Sequence, residues 1–114
     1  MVTPFAVTKR DDGAGVHRLA IAGELDEDTS EALIDVIINA AEHLDVSTVV
    51  VDLRRVTFLS AGGVRALLRG CQATLERGRG FRVVNATGYV YQVLRISGVH
   101  RSLAVTTERD VPAR

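Results

Sequence analysis

The run Thr48-Val49-Val50-Val51-Asp52-Leu53 constrains this chain more than any other segment. β-Branched residues suit a pleated, buried backbone. A run without polar alternation leaves no face for water, so it predicts a central strand covered on both faces. Such strands belong to parallel sheets, whose crossovers are helices, so the flanking sequence should read as helices and further strands.

It does. Upstream, Leu33, Val36, Ile37, Ala40 and Leu44 recur at helical spacing and predict a buried stripe. Asp26, Asp28, Thr29 and Ser30 precede that stripe and offer acceptors to the free N–H groups of a first turn. Ile34 and Ile38 lie beside it, where they either widen the core face or leave an apolar strip for a partner. Downstream, residues 54–59 read as a loop and residues 60–77 as a second helix. Its inward side is Val64, Leu67, Leu68, Cys71 and Leu75, with Gly78 and Gly80 as its C-terminal stop. Residues 81–85 (FRVVN) read as a strand. Residues 88–97 read as a third helix, with Val90, Val93 and Leu94 inward and Gly98 ending it. Residues 103–107 read as a last short strand, followed by a frayed tail from Glu108 that contains Pro112. Ahead of the first helix, residues 5–9 and 17–22 form two strands around the turn residues 11–15, an opening hairpin.

The order β-β-α-β-α-β-α-β predicts one α/β domain over residues 1–114, with an ordered core from about 3 to 108. Its sheet is mixed and mostly parallel, with the N-terminal hairpin as the antiparallel part and helices packed on it. The composition, 46% hydrophobic and 25% charged, suits a globular domain. The 14 basic and 14 acidic residues cancel, which disfavours nucleic acid as a partner. The lone Cys71 cannot form an internal disulfide, and the N-terminal residues lack a signal-peptide pattern, so a cytoplasmic location is expected. The apolar runs are too short to cross a bilayer.

Signatures of catalysis are scarce. His17, His43 and His100 have no metal-ligand spacing, so no metal and no cofactor is expected. Cys71 takes an inward helical position and reads as a small core residue. Ser60 follows a strand and precedes a helix, but a nucleophile elbow needs glycine at position 58, where Phe58 stands; Ser60 reads as a helix cap. Gly78-Arg79-Gly80 follows a helix, the wrong order for a dinucleotide fingerprint. The segment from Phe58 to Arg69 remains. Ser60, Ala61, Gly62 and Gly63 put small residues and free N–H groups at a helix N-terminus. Arg65, Arg69, Gln72 and Glu76 share one outer face, which is either a solvated surface or the flank of a docking surface.

Residues 49–70, VVVDLRRVTFLSAGGVRALLRG, resemble the signature segment of STAS domains in anti-sigma factor antagonists. That segment is a strand ending in Asp, a short loop, then Asp-Ser-Ser/Thr-Gly and an apolar helix. Gly23-Glu24-Leu25-Asp26 is similar to the turn before the family's first helix. Residues 81–85 and 94–99 are similar to the strand and helix end that follow. The resemblance implies a non-enzymatic module that binds a serine-kinase-like anti-sigma factor and so regulates sigma-dependent transcription by partner switching. It implies a contact surface at Asp26, Ser60, Ala61, Gly62, Gly63, Arg65 and Arg69, and a monomer or weak homodimer. In the family, the second hydroxyl residue of the motif accepts a phosphoryl group. Here Ser60 stands at the Asp, Ala61 at the first Ser and Gly62 at the acceptor, so the usual acceptor is absent. Ser60 and Thr57 are the displaced hydroxyls nearby. Two other functions fit the same chain: a non-phosphorylated scaffold subunit of a stress-signalling assembly, and a small-ligand or nucleotide sensor.

Overall fold

The valine run forms the middle of a four-stranded sheet with the order β1-β2-β3-β4. The computed structural model describes residues 3–108. Its elements in chain order are β1 (Ala6–Asp11), β2 (Val16–Leu25), α1 (Ser30–Ala41), β3 (Thr48–Leu59), α2 (Ala61–Glu76), β4 (Gly80–Val84) and α3 (Gly88–Ile96). β1 pairs antiparallel with β2, while β2, β3 and β4 run parallel. Val49, Val50, Val51 and Leu53 are each at most 1% exposed, as expected of a strand covered on both faces. Leu19, Ile21 and Leu25 of β2, Leu33 and Ile37 of α1, Val64 and Leu67 of α2, and Val90 and Leu94 of α3 join β3 in one apolar cluster. α1 and α2 lie close together. A Cβ on Gly70 would stand 2.6 Å from Ile37 Cδ1, so glycine is what allows this approach. Ile34 packs against the core and Ile38 is half-buried, both bordering α2.

Five expectations are corrected. Residues 54–59 are not a loop, because β3 continues through them, parallel to β2 as far as Leu25 and Leu59. The register shifts after Ala20 and again after Gly23. These irregularities change the buried spacing to Leu53, Val56 and Leu59, which hides the strand's two-residue period. Leu44 is not in a helical stripe: α1 stops at Ala41 and Leu44 is 96% exposed in the turn before β3. Leu75 is 55% exposed, because Thr74 takes the inward place. Thr74 meets its polar need internally, its hydroxyl donating to the Gly70 carbonyl at 2.7 Å. Leu68 is half-buried. Finally, residues 103–107 make a single parallel bridge, Thr106 to Val84, within a series of turns. Leu103 is nonetheless fully buried.

Glu108 is anchored rather than frayed; residues 109–114 of the expected tail lie outside the described residues. The anchor is Arg18, 8% exposed on β2. Its guanidinium donates to Asp12 at 2.8 Å, Asp52 at 2.9 Å and Glu108 at 2.8 Å. Asn85, buried at φ 62°, completes the group. Its amide donates to Asp52 at 3.2 Å and its carbonyl accepts the Glu108 N–H at 2.9 Å. One cation thus ties the hairpin turn, the central strand and the end of the described chain.

Two outcomes follow from this packing. Leu67→Ala removes a fully buried side chain and should cost about 2–5 kcal/mol in a urea titration; a loss of a few tenths would refute the inward placement. Arg10 and then Arg18 hold the Asp12 carboxyl below its usual value of 3.8, against the opposing effect of burial. A lowered folded value means that Asp12 stabilises fully above that usual value and loses its contribution as pH falls through the folded one. Urea midpoints measured from about pH 5 down to about pH 2.5 should therefore fall less steeply for Arg10→Ala than for the native chain.

Candidate functional site

Parallel strands followed by helices put every helix N-terminus at one end of the sheet, outside the carboxyl ends of the strands. Here that end gathers the turn before α1, the start of α2 and the start of α3. Four local interactions shape it. Ser60 caps α2: its backbone is extended, at φ −96° and ψ 174°, and its hydroxyl accepts the Gly63 N–H at 3.3 Å. Ser60 N–H donates to the Leu25 carbonyl at 2.9 Å, locking the start of α2 to the end of β2. Asp26 Oδ1 accepts the N–H groups of Asp28 and Thr29 at 3.0 and 3.2 Å, which closes the turn before α1. Ser30 Oγ lies 2.7 Å from the Asp26 carbonyl and 3.1 Å from the Gly62 carbonyl, so its one proton is shared between the two helix starts.

The two glycines have different jobs. A Cβ on Gly63 would collide with the Leu25 carbonyl oxygen, and backbone cannot yield there. The atoms nearest a Cβ on Gly62 would be those of the Glu27 carboxylate, the far end of a flexible, exposed side chain. Gly62 is therefore buried by a movable cover. Arg65 Nη2 donates to Glu27 Oε2 at 3.3 Å, and both side chains are about two-thirds exposed, at 64% and 67%. An ion pair this exposed holds the cover only weakly.

Of the expected contact residues, Asp26, Ser60, Ala61, Gly62, Gly63 and Arg65 fall together at this end. Asp26, Ser60 and Gly63 serve chiefly as its scaffold. Arg69 stands apart, one turn or about 6 Å further along α2. It borders a groove with Glu31, Ile34 and Asp35 of α1. Of the displaced hydroxyls, Ser60 is committed to its cap, and Thr57 donates to the Gly23 carbonyl at 3.3 Å. Of the first-turn acceptors expected for α1, Asp26 supplies the bonds, while Thr29, the residue at the cap, makes no side-chain cap bond.

Sequence reasoning missed Glu27 and Tyr89, took Ser30 as a first-turn acceptor although its hydroxyl donates, and named Phe58 only as the start of the candidate segment. Phe58, on the β3 end, stacks on Tyr89 of α3 with ring centroids 6.0 Å apart and planes 19° from parallel. They are 39% and 57% exposed, an apolar shelf beside the α2 start. An aromatic residue in a stretch taken for a loop was a usable signal for Phe58; its pairing with a residue 31 positions later was not. Cys71 is buried, and burial pushes its thiol pKa up, away from the reactive thiolate.

This sheet, its helix starts and the capped glycine loop define a small single α/β domain. A family model described as "Mlab, STAS domain" matches residues 9–106, and the chain belongs to the STAS domain family. The structure is similar to the anti-sigma factor antagonist SpoIIAA in its unphosphorylated form, at 19% identity and a TM-score of 0.75, over 92% of this chain and 90% of that one. It is also similar to an anti-sigma factor antagonist from Mycobacterium paratuberculosis, at 24% identity and a TM-score of 0.75, over 92% and 89%. A further likeness is to the murine anion transporter Slc26a9, at 22% identity and a TM-score of 0.75, over 87% of this chain but 17% of the transporter. No curated protein is detectably similar in sequence. No helix among the described residues is long and apolar enough to cross a membrane.

The glycine geometry gives a direct test. Gly63→Ala should unfold or strongly destabilise the domain, whereas Gly62→Ala should shift the urea midpoint little, because the nearest obstacle, the Glu27 carboxylate, can move aside. Equal losses for the two variants would show that the Glu27 cover is rigid.

Proposed function

We propose that this domain is an anti-sigma factor antagonist-like binding module, not an enzyme, acting in the cytoplasm. It docks through the helix-start end of its sheet onto an anti-sigma factor with a serine-kinase-like fold. Binding withdraws that factor from its sigma factor. The contact residues are Asp26, Ser60, Ala61, Gly62, Gly63, Arg65 and, at the margin, Arg69. Phe58 and Tyr89 add the apolar contact that interfaces concentrate their energy in.

The observation that carries this reading is the α2 start. Its cap and its close approach to β2 are intact, while the position that would accept a phosphoryl group is Gly62. Ser60 and Thr57, the nearby alternatives, already donate or accept within the fold. A phosphate would add about −1.5 to −2 charge to such a surface. Without an acceptor that charge never arrives, and the module stays competent to bind whatever the kinase does. Control then passes to expression or to the partner. The same absence favours a second reading, a scaffold subunit that never cycles through phosphorylation.

Incubation with a cognate serine-kinase anti-sigma factor and ATP, read by intact mass and peptide mapping, tests the proposal. The native chain should bind and stay unmodified, and Gly62→Ser should become a substrate. Gly62→Trp, which displaces an exposed side chain, should abolish binding with an unchanged circular dichroism spectrum. Stoichiometric modification of Ser60 or Thr57 would restore a phosphorylation switch. Failure to bind any such kinase, with capture of a non-kinase assembly instead, would favour the scaffold reading.

A further inference from the structure

At the opposite end of the sheet, the fold brings together side chains that the sequence keeps apart. Asp11 ends β1, His17 lies near the start of β2, and Asp45 sits in the turn between α1 and β3. One ligand atom from each lies within 4.8 Å of the other two. We propose that these three residues bind one divalent first-row transition ion, with zinc as the reference case.

The imidazole carries the argument. His17 Nε2 is buried from solvent and has no hydrogen-bond partner. Its nearest charged atom is Asp45 Oδ1 at 3.6 Å, too far for a hydrogen bond. That separation suits two ligands of one ion: zinc bonds of about 2.0–2.1 Å at a tetrahedral angle put their ligand atoms about 3.3–3.4 Å apart. For this pair a closing movement of a few tenths of an ångström is enough, and Asp45, 71% exposed, is free to make it, while Asp11, in a cluster spread over as much as 4.8 Å, has further to close. Asp11 is already oriented, since its Oδ1 accepts the Gly13 N–H at 2.8 Å. Such outer hydrogen bonds commonly fix ligating carboxylates. His43 stands beside the cluster with its ring centroid 5.7 Å from that of His17.

The donor set selects the class of ion. One imidazole and two carboxylates suit zinc, cobalt, nickel or manganese, whereas magnesium and calcium prefer oxygen alone. Three protein ligands leave a position for water. A cavity of about 220 Å³ lined by His17, Asp11 and His43 lies beside the cluster. Arg10 and Arg18, which line the same cavity, direct their charge to Asp12. Lys9 also lines it and opposes the ion's charge, a cost that the two carboxylates outweigh. Binding would staple the hairpin to the turn ahead of β3, and it uses none of the residues of the proposed docking end.

The test uses the untagged, metal-free chain titrated calorimetrically with zinc chloride, and with cobalt(II) followed by absorption. One ion per chain is expected. His17→Ala and Asp45→Asn should each weaken binding by at least about tenfold. The cobalt spectrum should lack thiolate-to-metal charge transfer, which places Cys71 outside the site. In the native chain, zinc should shift the His17 imidazole nitrogen resonances, a readout that needs no variant. No binding, unshifted His17 nitrogens, or unchanged affinity in either variant, as for an adventitious surface ion, would overturn the proposal.

Discussion

The burial of β3 is the constraint on which the other elements depend. Its valines leave no solvated face, so its backbone N–H and C=O groups have only neighbouring strands to bond with, and leaving them unpaired is costly. β2 and β4 meet that demand from either side, in parallel. Parallel neighbours in turn require crossovers, which become α1 and α2. The apolar stripes of these helices then cover the sheet, and the Gly70–Ile37 contact sets how closely they lie.

The same geometry creates the candidate site. Two parallel crossovers deliver two helix starts to one end of the sheet, and Ser30 and Ser60 stitch them to each other and to β2. The resulting surface is built by backbone more than by side chains. Ser60 caps α2 through its hydroxyl, and Gly63 keeps the approach to Leu25 open. A loop held this way keeps its shape when its chemistry is removed. At its apex Gly62 lies under the exposed, movable carboxylate of Glu27.

A polar group of comparable importance sits around Arg18. A buried guanidinium is tolerable only with its charge answered, and three carboxylates from distant segments answer it. Glu108 is ordered for this reason, although its local sequence, close to Pro112, reads as a tail. Ion pairs of this kind join residues up to 90 positions apart, and no local pattern announces them.

Local physics made much of the architecture legible in the sequence. β-Branched runs, helical stripes, turn glycines and the Ser60 cap are properties of neighbours along the chain, so the hairpin, three helices and three parallel strands could be read directly. The family resemblance of residues 49–70 rests on the same local order. The misses share a physical cause, which is that burial and pairing are decided by what arrives from elsewhere. Residues 54–59 pair because β2 runs on beside them, and Leu75 faces water because Thr74 finds its partner one turn back. The Phe58–Tyr89 shelf, the Glu27 cover and the Asp11–His17–Asp45 cluster exist only once the sheet has assembled. The sequence by itself determined most of the elements, their order and the glycine at position 62, since these follow from local preference and residue identity. Only the tertiary structure decided which side chains meet, because a contact between distant segments depends on the register and crossover geometry that the buried central strand imposes.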